Sequence, residues 1–330
     1  MCVTATPLSA TKIVKDNARQ GTRTTATNNN NITTATAVNI TNAQVTQVQG
    51  SHGTTTSNVL PEMDRPQHTS IMMVRMIGDE FLTEERDRKY YADHYTCCPP
   101  PLFIILITLV ELGFFTYYTV AKGEVNPSGP VPIDSVFIYR PDKRLELWRF
   151  AFYMFLHAGW LHLLFNLGVQ VVVGLPLEMV HGSLRIAAVY MAGVLAGSLG
   201  TSVFDTDVYL VGASGGVYAL LAAHLANVLL NYNNMEFGIV RLIGIFVIAS
   251  ADVGFAIYDR YAAEQIYAGL PVSYVAHLTG ALAGLTIGLL VLKNFEQRLH
   301  EQLLWWVALG VYAACTIFAV MYNLMHPNYP

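Results

Sequence analysis

The sequence predicts an all-α polytopic membrane protein with seven helices crossing the bilayer. Two observations carry that prediction. Hydrophobic residues make up 53% of the 330 residues and charged residues only 13%, with a mean hydropathy of +0.39, which is too apolar for an ordinary soluble domain. The apolar residues also gather into runs approaching the ~20 residues that a helix needs to cross a hydrocarbon core. The net charge of −4 offers no basic face, so nucleic acid is excluded as a partner. Cys2, Cys97, Cys98 and Cys315 are too scattered for a disulfide framework. No metal-ligand spacing appears, so neither a metal nor another cofactor is expected.

Residues 1–70 are rich in Thr, Asn, Ala and Gln, as in Thr24-Thr25-Ala26-Thr27-Asn28-Asn29-Asn30-Asn31. They have no periodicity and little to bury, so a disordered tail is expected. It lacks the apolar core of a signal peptide. Residues 71–100 form a juxtamembrane segment in which Phe81–Tyr95 reads as a short amphipathic surface helix. Cys97 and Cys98 follow at the point of membrane entry. Free thiols are expected there, with lipidation as the alternative.

The membrane domain is residues 101–325. Its spans are Pro101–Val120, Phe150–Leu175 (stopped by Pro176), Leu184–Phe204, Ala213–Leu230, Ile239–Tyr258, Val272–Leu292 and Leu303–Met325. A long polar connection, Ala121–Leu147, separates the first two. Trp305 and Trp306 read as an interfacial anchor of the last.

Basic residues set the orientation. One side carries Arg86, Arg88, Lys89, Arg185, Arg241, Lys293 and Arg298, the other Lys122, Arg140, Lys143, Arg144, Arg149 and Arg260. The region around the first connection supplies all of the second set but Arg260. With it set aside, the bias places the N-terminus in the cytoplasm. The sequons at Asn31 and Asn39 are then expected to stay unglycosylated.

One stretch organises the rest: Val211-Gly212-Ala213-Ser214-Gly215-Gly216-Val217-Tyr218, a serine among glycines where an apolar loop becomes an apolar helix. It fits the G-x-S-x-G pattern of a nucleophile elbow. A serine in the first turn of a helix has unpaired N–H groups beside it, which can stabilise an oxyanion. The competing reading is a small-residue packing turn. His277 lies six residues past Pro271, which puts it roughly 9 Å below the same membrane face as Ser214. His277 shares its helix face with Gly280, Gly284 and Gly288, a small-xxx-small stripe along which another helix can approach. Tyr218, one turn beyond Ser214, is placed to pack on the imidazole.

On the second span His162 and Asn166 share a face, as candidate oxyanion donors or as interhelical hydrogen-bonding groups. His157 and His224 read as structural. Asp252 is a candidate third member of a Ser-His-Asp set, and Glu178 is expected to pair with nearby basic groups. Glu111 is a third acid lying within or beside the spans.

These residues resemble the rhomboid intramembrane serine proteases. The resemblance rests on Trp148-Arg149, His162-x-x-x-Asn166, Gly212-Ala213-Ser214-Gly215 and Ala276-His277-x-x-Gly280-x-x-x-Gly284. It covers about Pro101 to Met325 and implies a six-helix rhomboid core followed by a seventh helix, as in the animal secretory-pathway members. Val136-Phe137-Ile138-Tyr139-Arg140-Pro141-Asp142 and Leu175-Pro176-Leu177-Glu178 resemble the fly-type members that cleave precursors of epidermal-growth-factor-like ligands.

By this resemblance Ser214 is the nucleophile and His277 the general base. His162, Asn166 and the Ser214 N–H form the oxyanion site, with Tyr218, Gly212, Gly215 and Gly280 supporting. The family uses a dyad, which counts against Asp252. The implied substrates are single-pass membrane proteins entering from the lipid, and the implied outcome is promotion of epidermal-growth-factor-receptor signalling. The implied location is the secretory pathway, in Golgi, endoplasmic reticulum or plasma membrane. The alternative is a catalytically silent rhomboid-like protein that controls trafficking of membrane clients.

Overall fold

The computed structural model describes residues 65–82, 85–95, 100–127, 129, 131–231, 237–262, 273–292 and 299–325. The tail before residue 65, its two sequons, and Cys97 and Cys98 lie outside the described residues. Helix dominates, in the order α1 (Arg65–Phe81), α2 (Glu85–His94), α3 (Leu102–Lys122), α4 (Arg149–Phe152), α5 (Gly159–Val169), α6 (Leu175–His181), α7 (Ser183–Phe204), α8 (Ser214–Asn231), α9 (Gly238–Ala262), α10 (Tyr274–Val291) and α11 (Leu299–Met325). Among the described residues there is no strand, only isolated bridges. Among the described residues five helical stretches are long and apolar enough to cross a membrane; α8 is a shorter apolar helix.

Burial separates the inner helices from the lipid-facing ones. On α3, Ile104, Ile107 and Glu111 form a single buried stripe, while Leu102, Ile105, Leu106, Leu109 and Leu112 are exposed. That pattern fits a helix with lipid on one side and protein on the other. By contrast α8 is buried on nearly every face, as expected of a helix that is apolar all round.

Close packing of α8 against α10 rests on small residues. A Cβ on Gly280 would strike the Gly215 backbone, one on Gly284 the Ala219 backbone, and one on Gly288 would come within 3.0 Å of the Ala223 methyl. The three pairs keep one offset, so the two helices run parallel. Followed back one turn, that offset brings His277 level with the residues at the start of α8.

Three expectations need correction. The second span does not begin at Phe150 or stop at Pro176. A short 3-10 turn, Tyr153–Phe155, precedes α5, and helix then continues through a π turn, Gln170–Gly174, into α6 as far as His181. Pro176 sits in the first turn of α6, where its missing N–H does least harm. The π turn absorbs the register change ahead of it.

The short helix expected over Phe81–Tyr95 is α2, Glu85–His94, but a second helix, α1, precedes it from Arg65, so residues 65–70, expected to belong to the disordered tail, are helical. Phe81 closes α1 by burying its ring against His224, 5.0 Å between centroids.

Among the described residues Glu178 pairs with no basic group. Its carboxylate accepts from the N–H groups of Phe103 (2.7 Å) and Ile104 (2.8 Å), and from the Ser183 hydroxyl. Those N–H groups belong to the first turn of α3, which has no intrahelical partner to offer them and favours negative charge.

The first connection is tied down by Arg149. Its guanidinium donates to the Ile138 carbonyl (2.8 Å), the Ser135 carbonyl (3.2 Å) and Glu146 Oε2 (2.6 Å). Nearby, Arg140 donates to both oxygens of Asp142, which holds the Asp142 carboxyl below its ordinary value. Tyr139 and Leu210 exchange backbone hydrogen bonds of 3.2 and 3.1 Å. This bridge fastens the connection to the loop that leads into Ser214.

Candidate active site

Ser214 is the first residue of α8. The backbone hydrogen bond from Val217 N to the Ala213 carbonyl (3.0 Å) starts the helix, so the amides between those residues lie in the turn where helix donors lack partners. Gly212 turns the chain with φ +112°, and a Cβ there would lie 2.6 Å from Cε1 of His162. Only glycine meets both demands. The two residues after Ser214 are equally confined. A Cβ on Gly215 would meet the Gly193 carbonyl at 2.9 Å and the Tyr153 hydroxyl at 3.0 Å, and one on Gly216 would enter the Tyr190 ring.

His277 lies one turn into α10, below the Ser273 cap whose hydroxyl accepts from Ala276 N. Its imidazole is buried and stacks on the Tyr218 ring, with centroids 4.6 Å apart and planes within 8°. The Tyr218 hydroxyl donates to the Ala249 carbonyl of α9 at 3.1 Å. Neither ring nitrogen of His277 has a hydrogen-bond partner among the described residues. In this conformation, therefore, the Ser214 hydroxyl and the imidazole are close in register but not hydrogen-bonded. Catalytic hydrogen bonds are often long before substrate binds.

Asp252 of α9 approaches from the other edge of the ring, with Oδ2 3.5 Å from Nδ1.

On α5, the His162 ring lies over Gly212, and both of its nitrogens are buried without a hydrogen-bond partner among the described residues. Asn166, one turn on, gives one amide hydrogen to the His162 carbonyl at 2.8 Å. The second hydrogen on Nδ2 remains to be donated. His157 packs edge-to-face on His162 at 5.3 Å, while His224 lies away from this cluster beside Phe81. Ser214, His277, Tyr218, Gly212, Gly215 and Gly280 are thus gathered at one end of the α8–α10 seam, with His162 against Gly212.

Sequence reasoning missed Tyr153. Its hydroxyl donates to the Val194 carbonyl (2.8 Å), its own carbonyl accepts from Gly212 N (3.2 Å), and it abuts Gly215. It joins the short turn ahead of α5 to α7 and to the serine loop. No spacing rule marks such a residue, because its partners are backbone atoms far away in sequence.

A rhomboid domain matches residues 144–294. Rhomboid-related protein 2 of Mus musculus is 46% identical over 255 residues, covering 76% of this chain and 84% of that protein. The chain belongs to the rhomboid family. Rhomboid-related protein 3 of Homo sapiens is 44% identical over 257 residues, and the present rhomboid spans 63% of its length. Another relative, named inactive rhomboid-related protein 2, of Caenorhabditis elegans, is 35% identical over 216 residues. Membership therefore makes this rhomboid a multi-pass membrane protein but leaves catalysis to be argued from its own side chains.

Proposed function

We propose that this rhomboid is an intramembrane serine endopeptidase. One arrangement carries the reading: a serine opens α8 at the level where a buried histidine is clamped against Tyr218 of the same helix. A structural serine needs no such neighbour.

In the proposed reaction a client's transmembrane helix enters sideways from the lipid and unwinds at the exposed end of its span. Ser214 Oγ forms a bond to the scissile carbonyl carbon as its proton moves to His277 Nε2. The carbonyl electron pair collects on oxygen, facing the Ser214 N–H, His162 and Asn166. Collapse breaks the C–N bond, and the leaving amine takes the proton from His277. Water then hydrolyses the acyl-enzyme by the same steps.

The proposed clients are single-pass precursors of epidermal-growth-factor-like ligands, cut near the lumenal end of their span in the secretory pathway, the Golgi above all. Ligand release would then promote receptor signalling. The proposed orientation has the N-terminus in the cytoplasm. A glycosidase-sensitive gel shift lost on mutating Asn31 and Asn39 would reverse it.

The competing reading, a silent rhomboid-like protein controlling client trafficking, draws on the relative named inactive. Retention of both Ser214 and His277 in this chain argues against it. A fluorophosphonate probe separates the two. The wild type is expected to label and to release a co-expressed growth-factor precursor, and Ser214→Ala to do neither while folding normally. Undiminished release by Ser214→Ala would refute the assignment.

A further inference from the structure

We infer that Asp252 of α9 is a positioning residue for His277, accepting a hydrogen bond from its Nδ1–H and so fixing the ring's tautomer and angle. The inference rests on the protease reading of Ser214 and His277 and adds a third group to it.

The geometry begins with two orphans. Asp252 Oδ2 and His277 Nδ1 are both buried, neither has a hydrogen-bond partner among the described residues, and they lie 3.5 Å apart. That separation is just outside hydrogen-bond range. Buried polar atoms left unpaired are costly, and each of these two can relieve the other even though the Asp252 carboxylate also meets the Tyr218 hydroxyl. A few tenths of an ångström of movement by either side chain closes the gap.

Tyr218 supplies the frame. Its ring is stacked on His277 while its hydroxyl holds the Ala249 carbonyl, three residues before Asp252 on α9. One side chain of α8 therefore sets the imidazole plane and ties down the α9 turn that presents the carboxylate.

The chemical consequence concerns which nitrogen is free. With its proton on Nδ1 facing a carboxylate, the ring keeps its lone pair on Nε2, the nitrogen that must receive the proton of Ser214. The other tautomer would set the Nδ1 lone pair against the lone pairs of Asp252. When Nε2 becomes protonated, the ring's positive charge develops beside the carboxylate in a medium of low dielectric, where their attraction is large. A dyad held by stacking alone would have no such preference.

The test uses full-length protein in proteoliposomes, with a single-pass substrate and, separately, a fluorophosphonate probe. Asp252→Asn keeps the shape and one acceptor oxygen but loses the charge; Asp252→Leu loses both. Asp252→Asn is expected to lower kcat by on the order of 10-fold and Asp252→Leu by on the order of 10²-fold or more. KM should stay within about two-fold in both, because the carboxylate does not touch substrate. Probe labelling should slow in the same order.

Wild-type kcat in Asp252→Asn and Asp252→Leu overturns the inference, as does a loss confined to KM. If Asp252→Leu fails to fold, the near-isosteric Asn variant decides. Wild-type protein that neither cleaves nor labels refutes the protease reading itself, an outcome distinct from active protein indifferent to residue 252.

Discussion

The Tyr218 ring lies parallel to the His277 imidazole at 4.6 Å. Rotation of the histidine is therefore limited by a side chain from the helix that carries Ser214. Tyr218→Phe keeps the stack and gives up the hydroxyl's contacts to Ala249 and Asp252 on α9, so kcat is expected to fall by no more than about three-fold. Tyr218→Ala removes the stack and a buried ring. Thermal unfolding should register a loss of about 3–5 kcal/mol, and initial rates in proteoliposomes a drop of at least about ten-fold from lost orientation.

Helix α10 meets α8 through glycines, and the steric argument has a built-in control. Gly280→Ala and Gly284→Ala drive a methyl into the Gly215 and Ala219 backbones, whereas a Cβ on Gly310 of α11 meets nothing within 4 Å. The first two are expected to lose about 1–3 kcal/mol or more. Gly310→Ala should be neutral or gain up to about 1 kcal/mol from helix propensity. Heat-induced aggregation in detergent ranks the three.

Glu178 joins two segments 75 residues apart by accepting from the start of α3. Glu178→Ala leaves those donors buried and unsatisfied, at a cost of about 1–3 kcal/mol. Glu178→Gln retains one acceptor oxygen and should fall between Ala and wild type in the same melting experiment.

Arg149 serves Glu146 and two backbone carbonyls with one planar group. A lysine ammonium cannot reproduce that fork. Arg149→Lys is therefore expected to open the first connection, seen as faster proteolytic nicking between residues 135 and 149, and to lower activity through the Tyr139–Leu210 bridge.

The same connection has a mild acid sensitivity. Because Arg140 holds the Asp142 carboxyl below its ordinary value, the pair's contribution is complete above about pH 3.9 and fades as pH falls through the depressed value. Nicking should rise below about pH 4 in wild type and rise less over that window in Asp142→Asn. The change should be small, since the Asp142 side chain is 46% exposed and water weakens such pairs.

The helical membrane fold was legible because hydropathy and span length report directly on a bilayer. The level placement of Ser214 and His277 was legible too, since both were counted from the same membrane face and Gly280 and Gly284 marked their helices as neighbours. Other features were not. Pro176 reads as a stop, and nothing local announces the π turn that lets helix run past it. Glu178 reads as a partner for arginine because the amides it caps carry no sequence signature. Asp252 was discounted because the family uses a dyad and because helical spacing does not say which neighbour a helix face meets. That neighbour is fixed by how α9 leans on Tyr218.

The brevity of α8 has a physical consequence beyond the chemistry at its start. Its 18 residues rise about 27 Å, short of the ~30 Å hydrocarbon layer, while the 27 residues of α11 have length to spare. Because α8 is buried on nearly every face, protein rather than lipid surrounds it, and its shortfall leaves the serine at its start sunk toward the hydrocarbon layer. Membranes differ in thickness along the export route. On the proposed protease reading, the depth of Ser214 in the hydrocarbon layer sets which peptide bond of a client is reached, so bilayer thickness becomes a rheostat for that choice.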